Sequence, residues 1–372
     1  MTALELRGGL VLDPAAETFR PGIVHLAAGR VTDRPVPGAR VVDVTGCHVT
    51  PGLVDLHTHV FGGQDLGVPA DEVGPASGTT TVVDAGSAGG HLLDAFRRTS
   101  VDPATVRVRA LVNIASIGAT SIRLAGELTA LPYCDVDVAV AAARRHADIV
   151  AGIKVRASAD VGGDNAPVAL ERARRAADRA GLPLMVHLGP APAGVEAILR
   201  VLRAGDILTH CFTGFAGNAV VRDGRVRDAV LAARQRGVLL DVGHGMSGFD
   251  ATVAAAAIAQ GVLPDTISSD LHAYSRPAVG TLPRVLAAFV ALGLTPAQAF
   301  VRATAAPAAV LGRSAALRAG EPADVAVFRL AEEPVEHRDG HGHTFPGRLR
   351  VRPVLTVVGG DVVFSDGSVA VR

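Results

Sequence analysis

Two histidines one residue apart, His57 and His59, close an apolar run that starts at Val49. Side chains on a strand alternate with a period of two, so the pair leaves one face and could chelate a transition metal. Comparable residues close other apolar runs. His187 follows Leu184-Met185-Val186, His210 follows Ile207-Leu208-Thr209, and Asp270 follows Thr266-Ile267-Ser268-Ser269. Lys154 lies inside the run Val150-Ala151-Gly152-Ile153-Lys154-Val155 and is the one lysine of the chain's 372 residues. A buried ammonium costs several kcal/mol or shifts its pKa. Arginine cannot stand in where a neutral amine must react, because a guanidinium stays protonated. Each residue alone has an ordinary reading: a hydrogen-bonded histidine at a strand end, or an aspartate capping a helix. As a set they put imidazoles, a carboxylate and an amine at the ends of successive strands.

The elements that must carry this set alternate in type. Strand-like runs lie at 49–59, 79–86, 107–116, 149–158, 183–189, 207–214, 238–244 and 266–272. Ala/Arg-rich helical runs lie at 91–98, 136–146, 166–180, 193–204, 225–236, 249–259 and 282–292, with an added helix at 296–311. Eight nearly continuous apolar strands predict an α/β fold, a (β/α)8 TIM barrel, in which functional residues gather at the C-terminal strand ends. An open doubly wound sheet is the rival, but no Gly-x-Gly-x-x-Gly turn follows the first strand. Short β-like pieces at both ends of the chain predict a small β-sandwich domain from residues 1–48 and 318–372, bracketing a barrel at 49–317. The long connection 117–134 could cover the barrel mouth.

Composition excludes several classes. Lys+Arg and Asp+Glu both number 36, so no basic field exists to attract nucleic acid. Apolar stretches are short and interrupted, so no membrane span is expected. Three cysteines, Cys47, Cys134 and Cys211, are odd in number and far apart, which argues against a disulfide framework. The first residues lack a basic region and a long apolar core, so a cytoplasmic location is expected.

The His-x-His strand, the single lysine on strand four, the histidines closing strands five and six and the aspartate closing strand eight resemble the amidohydrolase superfamily. The chain is most similar to its binuclear-metal branch, the dihydroorotase-like and D-aminoacylase-like deacetylase group. Pro51-Gly52-Leu53-Val54-Asp55 and Gly320-Glu321-Pro322-Ala323-Asp324-Val325 share in the resemblance. It implies that carbon dioxide carboxylates Lys154 and that the carbamate bridges two divalent ions. His57, His59 and Asp270 would bind one ion and His187 and His210 the other. Zn suits all-N/O ligation, and Mn, Fe or Co could replace it. The implied reaction is hydrolysis of an amide or ester by a metal-bridging hydroxide, with the catalytic Asp270 as general base and then acid.

Substrate contacts are expected from Arg156, two residues past Lys154 and hence on the same face, where it could grip a carboxylate. Asn113, His244, His272 and Tyr274 lie where strand ends and loops face the mouth. Phe61 occupies a position at which dihydroorotases carry a carboxylate-binding arginine, which counts against that activity. Cys211 points to the opposite strand face and reads as core; His337, His341 and His343 read as a solvated Gly-rich loop. The expected function is deacylation of a small acylated carboxylic acid, with a carboxylate-bearing small molecule as partner and a homo-oligomer allowed. A cyclic amidohydrolase is the enzymatic alternative, and an inactive barrel acting as a binding protein is the alternative of another class. A deaminase is disfavoured, since the bridging lysine has no role in a one-metal site.

Overall fold

The computed structural model describes residues 3–123, 126–192 and 194–369. Its centre is a curled parallel sheet of seven strands in chain order: Leu53–Thr58, Thr79–Asp84, Arg107–Asn113, Val150–Val155, Leu184–His187, Ile207–Thr209 and Leu239–Asp241. Buried on both faces, these strands are rich in Val, Ile, Leu and Thr rather than alternating with polar residues. Helices pack outside, among them Val136–Arg145, Ala166–Ala180, Val195–Val201, Asp228–Gln235, Ala251–Ala259 and Leu282–Ala291. Asp135 and Asp250 cap two of them by accepting the first free backbone N–H groups. Gly181, at φ 67°, ends the longest. Inside the barrel Leu56, Val83, Ala85, Leu111, Met185 and Ile207 form a separate apolar plug beneath the mouth.

The eighth stave is not a strand, contrary to the reading of 266–272. It joins its neighbours through single bridges, Asp241 to Thr266 and Leu271 to Thr58, and through scattered backbone bonds such as Gly245 N–H to Ser269 O at 3.0 Å and Asp270 N–H to His57 O at 2.7 Å. Side chains complete the closure. Ser269 is held by Asp55 through its backbone N–H at 3.0 Å and its hydroxyl at 2.5 Å, while Thr266 and Ser268 donate to Asp241. Buried carboxylates on both neighbouring strands thus reinforce an irregular run of backbone bonds.

The run 49–59 is likewise two strands. His48–Pro51 pairs with Val325–Arg338, whereas Leu53–Thr58 belongs to the barrel. Gly52 stands at the junction, where a Cβ would lie 2.1 Å from Thr80 Oγ1. His59 therefore stands one residue beyond its strand, yet still beside His57, with ring centroids 5.6 Å apart. The run 296–311 splits into Pro296–Val301, opened by a Thr295–Gln298 capping box, and Ala305–Val310. Residue 193, where the sequence begins a helix, lies outside the described residues; the helix is described from Val195.

Strands from both ends of the chain meet. A four-stranded sheet (Leu4–Arg7, Val24–Ala27, Arg30–Thr32, Arg40–Asp43) shares an apolar core with a six-stranded one that includes Leu10–Asp13, His48–Pro51, Thr344–Val358 and Asp361–Ser365. The hairpin of Val325–Arg338 and Thr344–Val358 is long, and its tip returns to the barrel, where Gly340 N–H donates to Phe249 O at 2.9 Å. His337 is consequently buried rather than solvated. No helix among the described residues is long and apolar enough to cross a membrane.

Candidate active site

At the C-terminal mouth, His57, His59, Lys154, Arg156, His187, His210, Asp270 and His272 line a small cleft of about 50 Å³ together with Leu66, Ala119 and Ile122. The sequence-derived ligand residues thus come together. Asn113, His244 and Tyr274 do not line the cleft. Asn113 is buried behind it, donating to Gly86 O and Glu127 and accepting from Ala115 N–H. His244 stacks on Phe249 at 4.6 Å, with its Nδ1 3.1 Å from Gly245 O. Tyr274 donates its hydroxyl to Asp65 at 2.9 Å, outside the cleft. Phe61 turns into the core against Phe96.

Hydrogen bonds fix where the imidazole lone pairs point. Asp241 accepts from the hydroxyls of Thr209, Thr266 and Ser268. Since Thr209 donates to Asp241, it accepts from His57 Nδ1 at 2.8 Å, which leaves His57 Nε2 with its lone pair in the cleft. His210 Nδ1 donates to Gly243 O at 2.6 Å, so its Nε2 is likewise bare. His272 is the opposite tautomer. Its Nδ1 accepts from Tyr274 and Ser275 N–H at 3.2 Å, so Nε2 carries the hydrogen and can donate but not ligate.

The result is an electron-rich hollow. His57 Nε2 lies 3.3 Å from Asp270 Oδ1, two acceptors with no hydrogen between them, and His59 Nε2 lies 3.4 Å from the same oxygen. A cation between these atoms resolves the repulsion, so the donor set fits a metal ion. Burial keeps His57 and His187 well below the usual imidazole range and His210 down to about 4, so all three are neutral donors. Lys154 is fully buried; desolvation brings its amine down to about 8, and its Nζ sits 3.3 Å from His57 Nε2. His210 and Asp270 both adopt left-handed backbone, φ 61° and 49°, a strain that collects at functional sites.

The chain matches no family model. It is 32% identical over 341 residues to a deacetylase of Agrobacterium fabrum, covering 91% of this chain and 84% of that protein. A deacetylase of Brucella anthropi matches at 32% over 91% of this chain and 85% of its own length. The chain belongs to the amidohydrolase superfamily, among its deacetylases. Solved amidohydrolases agree in fold: a dihydroorotase superposes with a TM-score of 0.90 at 29% identity over 98% of each chain. An adenine deaminase superposes at 0.92 and 28% identity over 98% of this chain and 100% of its own.

Sequence reasoning missed several residues that shape this amidohydrolase cleft. Thr209 adjoins His210 and Asp241 closes an apolar run, so each carried a positional signal. Glu127, from the irregular connection over the mouth, carried none. A second group of donors, Asp250, Asp339 and His343, gathers at the hairpin tip. There Asp339 already accepts from the backbone of Ala251, His341 and His343, which makes it a strap between hairpin and barrel.

Proposed function

We propose that the protein is a metal-dependent hydrolase that removes an acyl group, acetyl foremost, from an amide or ester of a small carboxylic acid. The observation that carries this reading is the hollow between His57 Nε2, His59 Nε2 and Asp270 Oδ1 beside a fully buried lysine. His57, His59 and Asp270 would hold one divalent ion, His187 and His210 a second, and carboxylated Lys154 both. Zn suits these donors best, with Mn, Fe or Co as substitutes. When bound, the ions supply Lewis acidity and make a water nucleophilic near neutral pH.

The remaining work falls to the chain. The neutral Lys154 amine attacks carbon dioxide, forming the N–C bond and releasing one proton to solvent, which converts a neutral amine into an anionic oxygen donor. Asp270 takes the proton of the attacking water and delivers it to the departing nitrogen or oxygen. His272 Nε2–H donates to a substrate oxygen, and Arg156 meets the carboxylate. Leu66, Ala119 and Ile122 give the acyl group an apolar wall that excludes bulk water.

Cyclic amide hydrolysis is the second reading, favoured by the superposition on a dihydroorotase. A panel on the zinc-loaded enzyme separates them: N-acyl amino acids, O-acetyl hydroxy acids, hydantoins, dihydroorotate and adenine. Turnover confined to the acyl compounds is expected. Turnover of a cyclic amide or adenine alone overturns the proposal.

A further inference from the structure

Arg156 reaches the cleft already held by another residue. Its Nε and Nη2 donate to the two oxygens of Glu127 at 3.0 and 2.7 Å, a bidentate fork. The same Glu127 accepts from Asn113 Nδ2 at 3.3 Å. Glu127 belongs to the connection over the mouth, yet its side chain is 1% exposed against 14% for Arg156. Burial alone would lift its carboxyl, but the guanidinium and its hydrogen bonds hold it below the usual glutamate value.

The fork consumes two of the five guanidinium N–H groups and fixes the plane of the rest. Arg156 lines the cleft, and its Nη1 donates to none of the described residues. What Arg156 offers a substrate is therefore an edge held at one angle, with its charge compensated from behind. Without Glu127 the long side chain regains rotamer freedom, and Asp160 and Asp270 become the acids that attract it.

We propose that Glu127 is a positioning residue that sets specificity: by clamping Nε and Nη2 it aims the Nη1 edge of Arg156 at the substrate carboxylate. This rests on the hydrolase reading above. Recognition then depends on direction more than on net charge, which selects carboxylic acids over neutral analogues of equal size.

The test compares wild type, E127Q and E127D as zinc-loaded enzymes on two matched probes, N-acetylalanine and N-acetylalaninamide. In the variants the ratio of kcat/KM for acid over amide is expected to fall about tenfold or more, carried mainly by KM of the acid. E127D keeps the charge and shortens the reach by one methylene, so it decides the question if E127Q does not fold. A parallel loss on both probes, or an unchanged ratio, overturns the proposal. If wild type hydrolyses neither probe, the hydrolase reading fails on this substrate class, and calorimetric titration with N-acetylalanine then decides on Glu127. Binding to wild type that weakens about tenfold in E127D upholds the positioning role; equal or undetectable binding overturns it.

Discussion

Thr209 accepts the Nδ1 hydrogen of His57 at 2.8 Å and passes its own hydroxyl hydrogen to Asp241 at 2.7 Å. One hydroxyl thereby selects the tautomer of His57, a proposed ligand, from behind. T209V removes the acceptor while keeping the shape, so His57 is free to put its hydrogen on Nε2. Metal affinity should fall about 10- to 100-fold, and T209S should retain it. Zinc retained during dialysis against graded chelator measures both.

Gly248 leaves room for His210, a proposed ligand of the second ion. A Cβ on this residue would lie 2.1 Å from His210 Nδ1 and 2.8 Å from Gly243 O, inside the hydrogen bond that orients His210. G248A should lower the metal content from about two ions per chain towards one, since the site of His57, His59 and Asp270 is untouched. Elemental analysis of the purified variant checks it.

In the proposed reaction Asp270 carries the proton and also holds an ion. D270N should reduce turnover by at least ~10²-fold while leaving the thermal transition close to that of wild type. A variant that kept most of its activity would remove Asp270 from this role.

Lys154 is completely buried and has no arginine equivalent. Native mass measurement of the zinc-loaded protein should show a gain equal to one carbon dioxide per chain, absent from K154A. Wild type reconstituted without bicarbonate should regain activity when bicarbonate is added. An unmodified mass in fully active enzyme counts decisively against the carbamate.

The Arg156–Glu127 pair leaves a signature in acid. Glu127 titrates below the ordinary glutamate value of 4.5 because Arg156 and its hydrogen bonds outweigh the burial that would raise it. A depressed carboxyl contributes stability that is fully present above that ordinary value and is lost as pH falls through the lower, folded value. E127Q lacks this term. Wild type should therefore exceed E127Q in unfolding free energy by about 3 kcal/mol near neutral pH, with the gap narrowing in acid. Urea melts at several pH values test the trend.

What could be read from sequence, and what could not, follows from the range of the forces involved. Period-two alternation and apolar runs are local, so strand ends and their residues His187, His210 and Asp270 were legible. The division of 49–59 at Gly52 was not, because it depends on Thr80 from the next strand. The same holds for 266–272, read as a strand when its packing depends on Asp55 and Asp241 from the two flanking staves. Glu127 lay hidden for a similar reason: nothing near it in the chain announces that it will meet Arg156, 29 positions away.

Asp55 and Asp241 reinforce the seam that shuts the cylinder, adding carboxylate–hydroxyl bonds to the peptide groups that join the eighth stave to its neighbours. Asp270 sits on that stitched stave, next to Ser269 in the grip of Asp55. The threads that help close the vessel thus also hold the backbone beside Asp270. Loosening either carboxylate would misalign the chemistry before it unravelled the container, so the enzyme cannot tune the one independently of the other.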